Sequence, residues 1–205
     1  MVTEPADGVY DITCIETDGP PGRIRAYLTE DGTLVDTGLP ESTDALLSGI
    51  EETGIDPERV VITHLHPDHI GGIEAVLDRY DAELLLPAGA DADETPPADR
   101  FYGDGDAVGP FEAVHMPGHI GHQHALVATE DDYAVLADAL SGADQRGLSG
   151  GFHLPPGRFT EDLSRAEQSL DALLDYEFDV GLVFHGASVL ADASAKIERY
   201  ALAGA

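Results

Sequence analysis

The sequence is poor in cysteine, in basic residues and in long apolar runs. Cys14 is its single cysteine, so no disulfide can form within the chain, and a zinc site built on thiolates is excluded. Any metal must be held by histidine and carboxylate. Ten Lys and Arg stand against forty Asp and Glu, and Lys196 is the sole lysine. No basic stripe is available for phosphates, so nucleic-acid binding is not expected. No apolar run approaches the roughly 20 residues that would span a bilayer, so no membrane partner is expected either. The start, "MVTEPADGVYD", is acidic and lacks the basic segment and apolar middle of a secretory signal. The expected location is cytoplasmic.

What is present in excess is acid. A formal net charge of −30 over 205 residues repels itself, and the acids are spread along the chain and not gathered in a tail. Molar salt shortens the screening length to about 3 Å and removes most of that penalty. The composition resembles that of proteins from salt-in halophiles. A chain of this length, 42% hydrophobic, fits one sizeable core, and a single domain over residues 1–205 is expected.

Short β-like runs alternate with helical patterns. Val9 to Ile15, Ile24 to Leu28 and Leu34 to Val35 read as strands, separated by the turn signals "DGPPG" and "EDG". Ser42 or Thr43 can cap a helix that presents Leu46, Leu47 and Ile50. Next come a strand at "VVIT", a helix from Pro67 with Ile70, Ile73 and Leu77 on one face, and a strand at "ELLL". Ala88 to Asp106 reads as a loop too polar to bury, a lid or a connector. The second half repeats the design with strands at 111–115, 124–129, 133–137 and 180–184. One helix is expected from Thr160, with Leu163, Ala166, Leu170 and Leu173 at helical spacing, and another carries Leu190, Ala193, Ile197 and Tyr200. Hairpins mixed with helices predict two mixed sheets between helical layers.

The segment "THLHPDHIGG" at Thr63 to Gly72 carries the chemistry. In an extended segment alternate side chains share a face, so His64 and His66 can grip one ion while Leu65 turns inward. Pro67 suits a first helical turn, from which Asp68 and His69 project. Further ligands must come from downstream. His119 in "MPGHIGH", Asp138 in "YAVLADAL" and His185 in "GLVFHG" each stand at a strand end or the loop beyond it.

Taken in order, "LVDTG" at Leu34 to Gly38, His-x-His-x-Asp-His at His64 to His69, "PGH" at Pro117 to His119, Asp138 and "FHG" at His185 resemble the metallo-β-lactamase superfamily over essentially the whole chain. The resemblance implies an α/β four-layer αβ/βα sandwich with two divalent ions at one edge, zinc first, with iron or manganese as alternatives. It implies that His64, His66 and His119 hold one ion, that Asp68, His69 and His185 hold the other, and that Asp138 bridges. Asp36 would orient a ligand. Among family members Thr commonly follows the third histidine and Gly precedes the bridging Asp, whereas Ile120 and Ala137 stand here. His122 and His124 read as supporting residues, His115 as structural, and His153 as a surface-loop histidine.

The activity so implied is that of a glyoxalase II-like hydrolase. A hydroxide bridging two ions attacks an ester-type carbonyl, with a thioester preferred, and Asp68 handles the proton. The substrate is a small molecule. Glutathione-using relatives append a basic helical region, while this sequence ends at Ala205, so a different thiol carrier is expected. Arg146 and Arg158 are candidates to meet an anionic substrate. A lactonase is the nearest alternative. A persulfide dioxygenase with one iron on His64, His119 and Asp138 is the alternative of another class, and a metal-bound inactive module is a further one. The oligomeric state is not specified by these residues.

Overall fold

The computed structural model describes residues 1–17, 22–93, 95–143 and 149–203. Asp18 to Pro21 of the expected turn, and Arg146, lie outside them.

The first sheet has seven strands in chain order: β1 (Val2–Ala6), β2 (Val9–Glu16), β3 (Arg23–Thr29), β4 (Thr33–Val35), β5 (Arg59–Val61), β6 (Glu83–Pro87) and β7 (Arg100–Tyr102). β1 to β4 pair antiparallel and β4 to β7 parallel. Direction follows the connections: short turns serve the antiparallel strands, whereas helices α1 (Thr43–Thr53), α2 (Pro67–Ile70) and α3 (Ile73–Arg79) lie in the parallel crossovers. The second sheet contains β8 (Ala107–Val108), β9 (Phe111–His115), β10 (His124–Ala128), β11 (Tyr133–Ala137) and β14 (Val180–Val183), in the order β14-β11-β10-β9-β8. β12 (Ser141–Ala143) and β13 (Ser149–His153) form a separate ribbon.

Alternation along the strands sorts residues into layers. Leu84 and Leu86, with Leu34, Val60 and Ile62, pack with Leu46 and Ile50 of α1 and Ile73 and Val76 of α3. Leu85, between them, joins Tyr27, Val35 and Val61 against Phe111, Leu126, Val135 and Leu182 of the second sheet. On the far side Val127, Ala134, Leu136 and Val183 pack under helical residues. These are Leu170 and Leu173 of a 3-10 helix (Leu170–Asp175) that follows α4 (Leu163–Ser169), and Ala193 and Ile197 of α5 (Ala193–Ala203); Ala166 of α4 is buried beside Gly118. The architecture is the expected α/β four-layer αβ/βα sandwich. No helix among the described residues is long and apolar enough to cross a membrane.

Several local expectations are corrected. The helix from Pro67 is two helices, because backbone groups that would continue it bond Thr37 and Gly38 instead: the His69 carbonyl accepts from Thr37 N–H, Gly71 N–H donates to the Gly38 carbonyl, and Gly71 packs so closely that a Cβ there would lie 2.2 Å from Pro40 N and 2.4 Å from Leu39 C. The expected helix from Thr160 begins at Leu163 behind an Asp162 cap, whose side chain accepts from Arg165 N–H, and it tightens to a 3-10 helix at Leu170. Leu163 and Leu190 are exposed and do not serve the apolar faces assigned to them, and Leu190 precedes α5. Ser42 precedes α1 without a side-chain cap to it, its hydroxyl instead bonding Leu39. The polar loop from Ala88 contains β7, and Tyr102 within it is fully buried, donating to the Ile62 carbonyl at 2.7 Å.

Candidate metal centre

Residues remote in sequence meet at one edge of the sandwich. Three groups of ligand atoms lie within 4.8 Å of one another: His64, His66 and His119; His64, His69 and Asp138; and Asp68, His69 and His185. His66 Nδ1 is 3.1 Å from His64 Nε2 and 2.9 Å from His119 Nε2. His185 Nε2 is 3.2 Å from Asp68 Oδ2 and 3.3 Å from Asp138 Oδ2. Asp138 Oδ2 also lies 3.4 Å from His119 Nε2 and 3.7 Å from His69 Nε2, so one oxygen stands between the groups. All seven residues expected at the centre are thus gathered.

Local structure explains the aim of each ring. His64 and His66 follow β5 in extended backbone, while Asp68 and His69 project from α2 with Pro67 at its first position. Asp138 follows β11, and His185 follows β14, its parallel neighbour. His119 sits in a turn where Gly118 has φ +140 and packs on the middle of α4, a Cβ there falling 2.1 Å from Ala166 N.

Hydrogen bonds on the outer nitrogens set the tautomers. His69 Nδ1–H donates to Asp36 Oδ2 at 2.8 Å. His64 Nδ1 lies 3.2 Å from Thr63 Oγ1, whose own hydroxyl bonds the Asp36 carboxylate at 2.9 Å. His119 Nδ1 lies 3.2 Å from Thr160 Oγ1, which donates to the Pro156 carbonyl. For His64 and His119 the hydroxyl's proton is committed elsewhere, so the ring nitrogen is the donor and Nε2 turns its lone pair inward.

Electrostatics divide the cluster. Burial, reinforced by neighbouring imidazoles, holds His64 well below the usual histidine range and brings His119 down to about 4. Burial alone would do the same to His69 and His185, but the carboxylates overcome it: Asp36 and Asp138 push His69 up to about 10, and Asp138 and Asp68 push His185 up to about 9. Burial opposes ionisation of Asp138, yet His185 and His69 hold it well below the usual carboxylate range.

Does this set fit metal ions? Buried His69 Nε2 and Asp138 Oδ1 have no hydrogen-bond partner. Inward lone pairs from three neutral imidazoles crowd together at 2.9–3.1 Å, an arrangement that repels itself unless a cation or proton lies between. Ligands about 2.0–2.1 Å from a shared tetrahedral zinc lie about 3.3 Å apart, close to the separations observed. The donor set is nitrogen and oxygen only, as the lone buried Cys14 requires.

The remaining candidates lie outside these groups. His122 Nε2 accepts from Leu65 N–H at 3.0 Å. His124, buried at the start of β10, donates from Nδ1 to the His122 carbonyl, and its ring lies between those of Tyr102 and His115. His115 bonds the Gly121 carbonyl, and His153 ends β13, half-buried. Arg158 is exposed and lies over the ring of its neighbour Phe159. Reading the sequence missed Thr63 and Thr160. Thr63 adjoins His64 and could have been found; Thr160 is 41 residues from His119 and carries no local signal.

Comparison with known proteins bears on the family and the fold. The family model described as "Metallo-beta-lactamase superfamily" matches residues 21–185. A hydroxyacylglutathione hydrolase from Xanthomonas euvesicatoria is 35% identical over 125 residues, 57% of this chain and 46% of that protein. An atrochrysone carboxyl ACP thioesterase from Aspergillus fumigatus is 27% identical over 94% of this chain and 45% of its own length. The chain spans about half the length of these curated relatives. Among solved structures, a beta-lactamase domain protein from Burkholderia ambifaria superposes with a TM-score of 0.74 at 22% identity, covering 97% of this chain and 74% of that one. The matched span closes on His185, the last member of the cluster, and the chain belongs to the metallo-beta-lactamase superfamily.

Proposed function

We propose that the chain is a metal-dependent hydrolase of thioesters, holding two divalent ions, zinc first. His64, His66 and His119 would hold one ion, Asp68, His69 and His185 the other, and Asp138 would bridge. The observation that carries this reading is the place of Asp138 Oδ2, 3.4 Å from His119 and 3.3 Å from His185. Bound there, the ions would supply Lewis acidity that polarises a carbonyl and lowers the pKa of water toward about 7.

The chain's own residues do the rest. Asp36 and Thr63 hold the rings of His69 and His64 in the tautomer that binds. Asp68 is half-buried and ionised: burial disfavours its charge, but the bond from His185 outweighs that and lowers its pKa. Its Oδ2 faces His185, and the second oxygen takes a proton from water and returns it to the departing sulfur. A thiolate leaves with less help than an amine, which favours thioesters over amides. Two relatives named for hydrolysing S-acyl thiols support that choice.

Metal analysis, with a panel of S-acyl thiols and lactones assayed in molar KCl, tests the proposal. Two equivalents of zinc with thioester turnover are expected. Lactone turnover alone would move the substrate class. One equivalent of iron with oxygen uptake on a persulfide would replace hydrolysis by dioxygenation through His64, His119 and Asp138, and no turnover of any panel member would leave an inactive module.

A further inference from the structure

The last residue of β14, Val183, is held by a closed ring of hydrogen bonds through Tyr27 of β3 and Ser188 of the segment that follows β14. Its N–H donates to Ser188 Oγ at 3.2 Å, and Tyr27 Oη donates to its carbonyl at 2.6 Å. Ser188 Oγ lies 3.2 Å from Tyr27 Oη. The tyrosine proton is committed to Val183, so the serine hydroxyl donates to Tyr27 and the ring closes. Arg25 Nη1 adds contacts of 3.5 and 3.4 Å to the carbonyls of Val183 and Phe184, while its Nε donates to Asp11 Oδ2 at 2.7 Å.

Arg25 and Asp11 are 2% and 6% exposed. An ion pair so buried is a poor source of stability, since an apolar pair of equal volume does as well or better. Its position gives it another use. Val183 and Phe184 immediately precede His185, and the Phe184 ring stacks on His69 with centroids 3.6 Å apart. Gly142 N–H holds the His185 carbonyl at 2.8 Å.

We propose that Tyr27, Arg25 and Ser188 are positioning residues through which the first sheet fixes the direction in which His185 enters the centre. The consequence for metal binding rests on the two-ion reading above; the consequence for the His185 ring does not.

Tyr27→Phe removes one hydroxyl and keeps the ring in the core. Ser188→Ala opens the same ring from a half-buried position and serves if the first variant fails to fold. Long-range 1H–15N spectra of the metal-free protein should show the His185 and His69 rings shifted or broadened in either variant, with His64 and His119 unmoved. Chelator competition should show the zinc site that His185→Ala abolishes weakened about tenfold or more, with the other ion unaffected. Unmoved His185 and His69 resonances, or equal weakening of both ions, would overturn the clamp. A wild-type protein that binds fewer than two ions would defeat the two-ion reading, and the ring spectra would still decide the clamp.

Discussion

Asp36 concentrates the most consequence in one residue. It adopts φ +59, a left-handed conformation rare for a residue with a side chain, and its carboxylate accepts from Thr63 N–H, the Thr63 hydroxyl and His69 Nδ1. Asp36→Asn keeps the shape but sets an amide N–H where acceptors are needed. We expect metal affinity to fall about 10–100-fold with the far-ultraviolet circular dichroism unchanged. Unchanged affinity in chelator competition would remove Asp36 from the centre. A second expectation follows from charge. His69 and His185 have pKa values raised to about 10 and about 9, so at pH 7 each carries a proton that a cation must displace. Metal uptake should therefore release protons, and affinity should rise with pH up to that range. Calorimetry in buffers of different ionisation enthalpy counts them; zero release at pH 7 would contradict the assignment.

At the scale of elements, the junction between β5 and α3 must turn sharply to bring four potential ligands to one place. Gly71 permits it by packing against the backbone of Leu39 and Pro40, and its N–H donates to the Gly38 carbonyl. Backbone cannot yield as a flexible side chain can. Gly71→Ala should cost about 1–3 kcal/mol or more in urea unfolding and weaken metal binding together with it. Gly121→Ala is the control, because a Cβ there meets nothing within 4 Å, and its effect should stay within about 0.5 kcal/mol. Equal effects of the two substitutions would show that the close approach at Gly71 is unimportant.

The charge acts over the whole molecule. With a formal net charge of −30, stability should climb as salt shortens the screening length from about 10 Å at 0.1 M to about 3 Å at 1 M. Thermal unfolding followed from 0.1 M to molar KCl should show a steadily rising midpoint. A midpoint indifferent to KCl would mean that the acids are too well dispersed to repel one another, and the resemblance to halophile composition would lose its physical meaning.

Sequence alone determined the layers and the chemistry of the ligands. Leu84, Leu85 and Leu86 alternate between two apolar layers, a consequence of strand geometry that needs no other part of the chain. His64 to His69 announce themselves by spacing, and His119, Asp138 and His185 by residue type at the ends of apolar runs. Only the tertiary structure decided what holds those ligands in place. Thr160 reaches His119, and Tyr27 and Arg25 reach the chain before His185, across intervals of 41 and more than 150 residues. A hydroxyl or guanidinium has no periodicity that points to its partner; the partner is set by how two sheets pack. The break at Gly71 likewise depends on a neighbour from another segment, so a continuous helical pattern in the sequence became two helices in the fold.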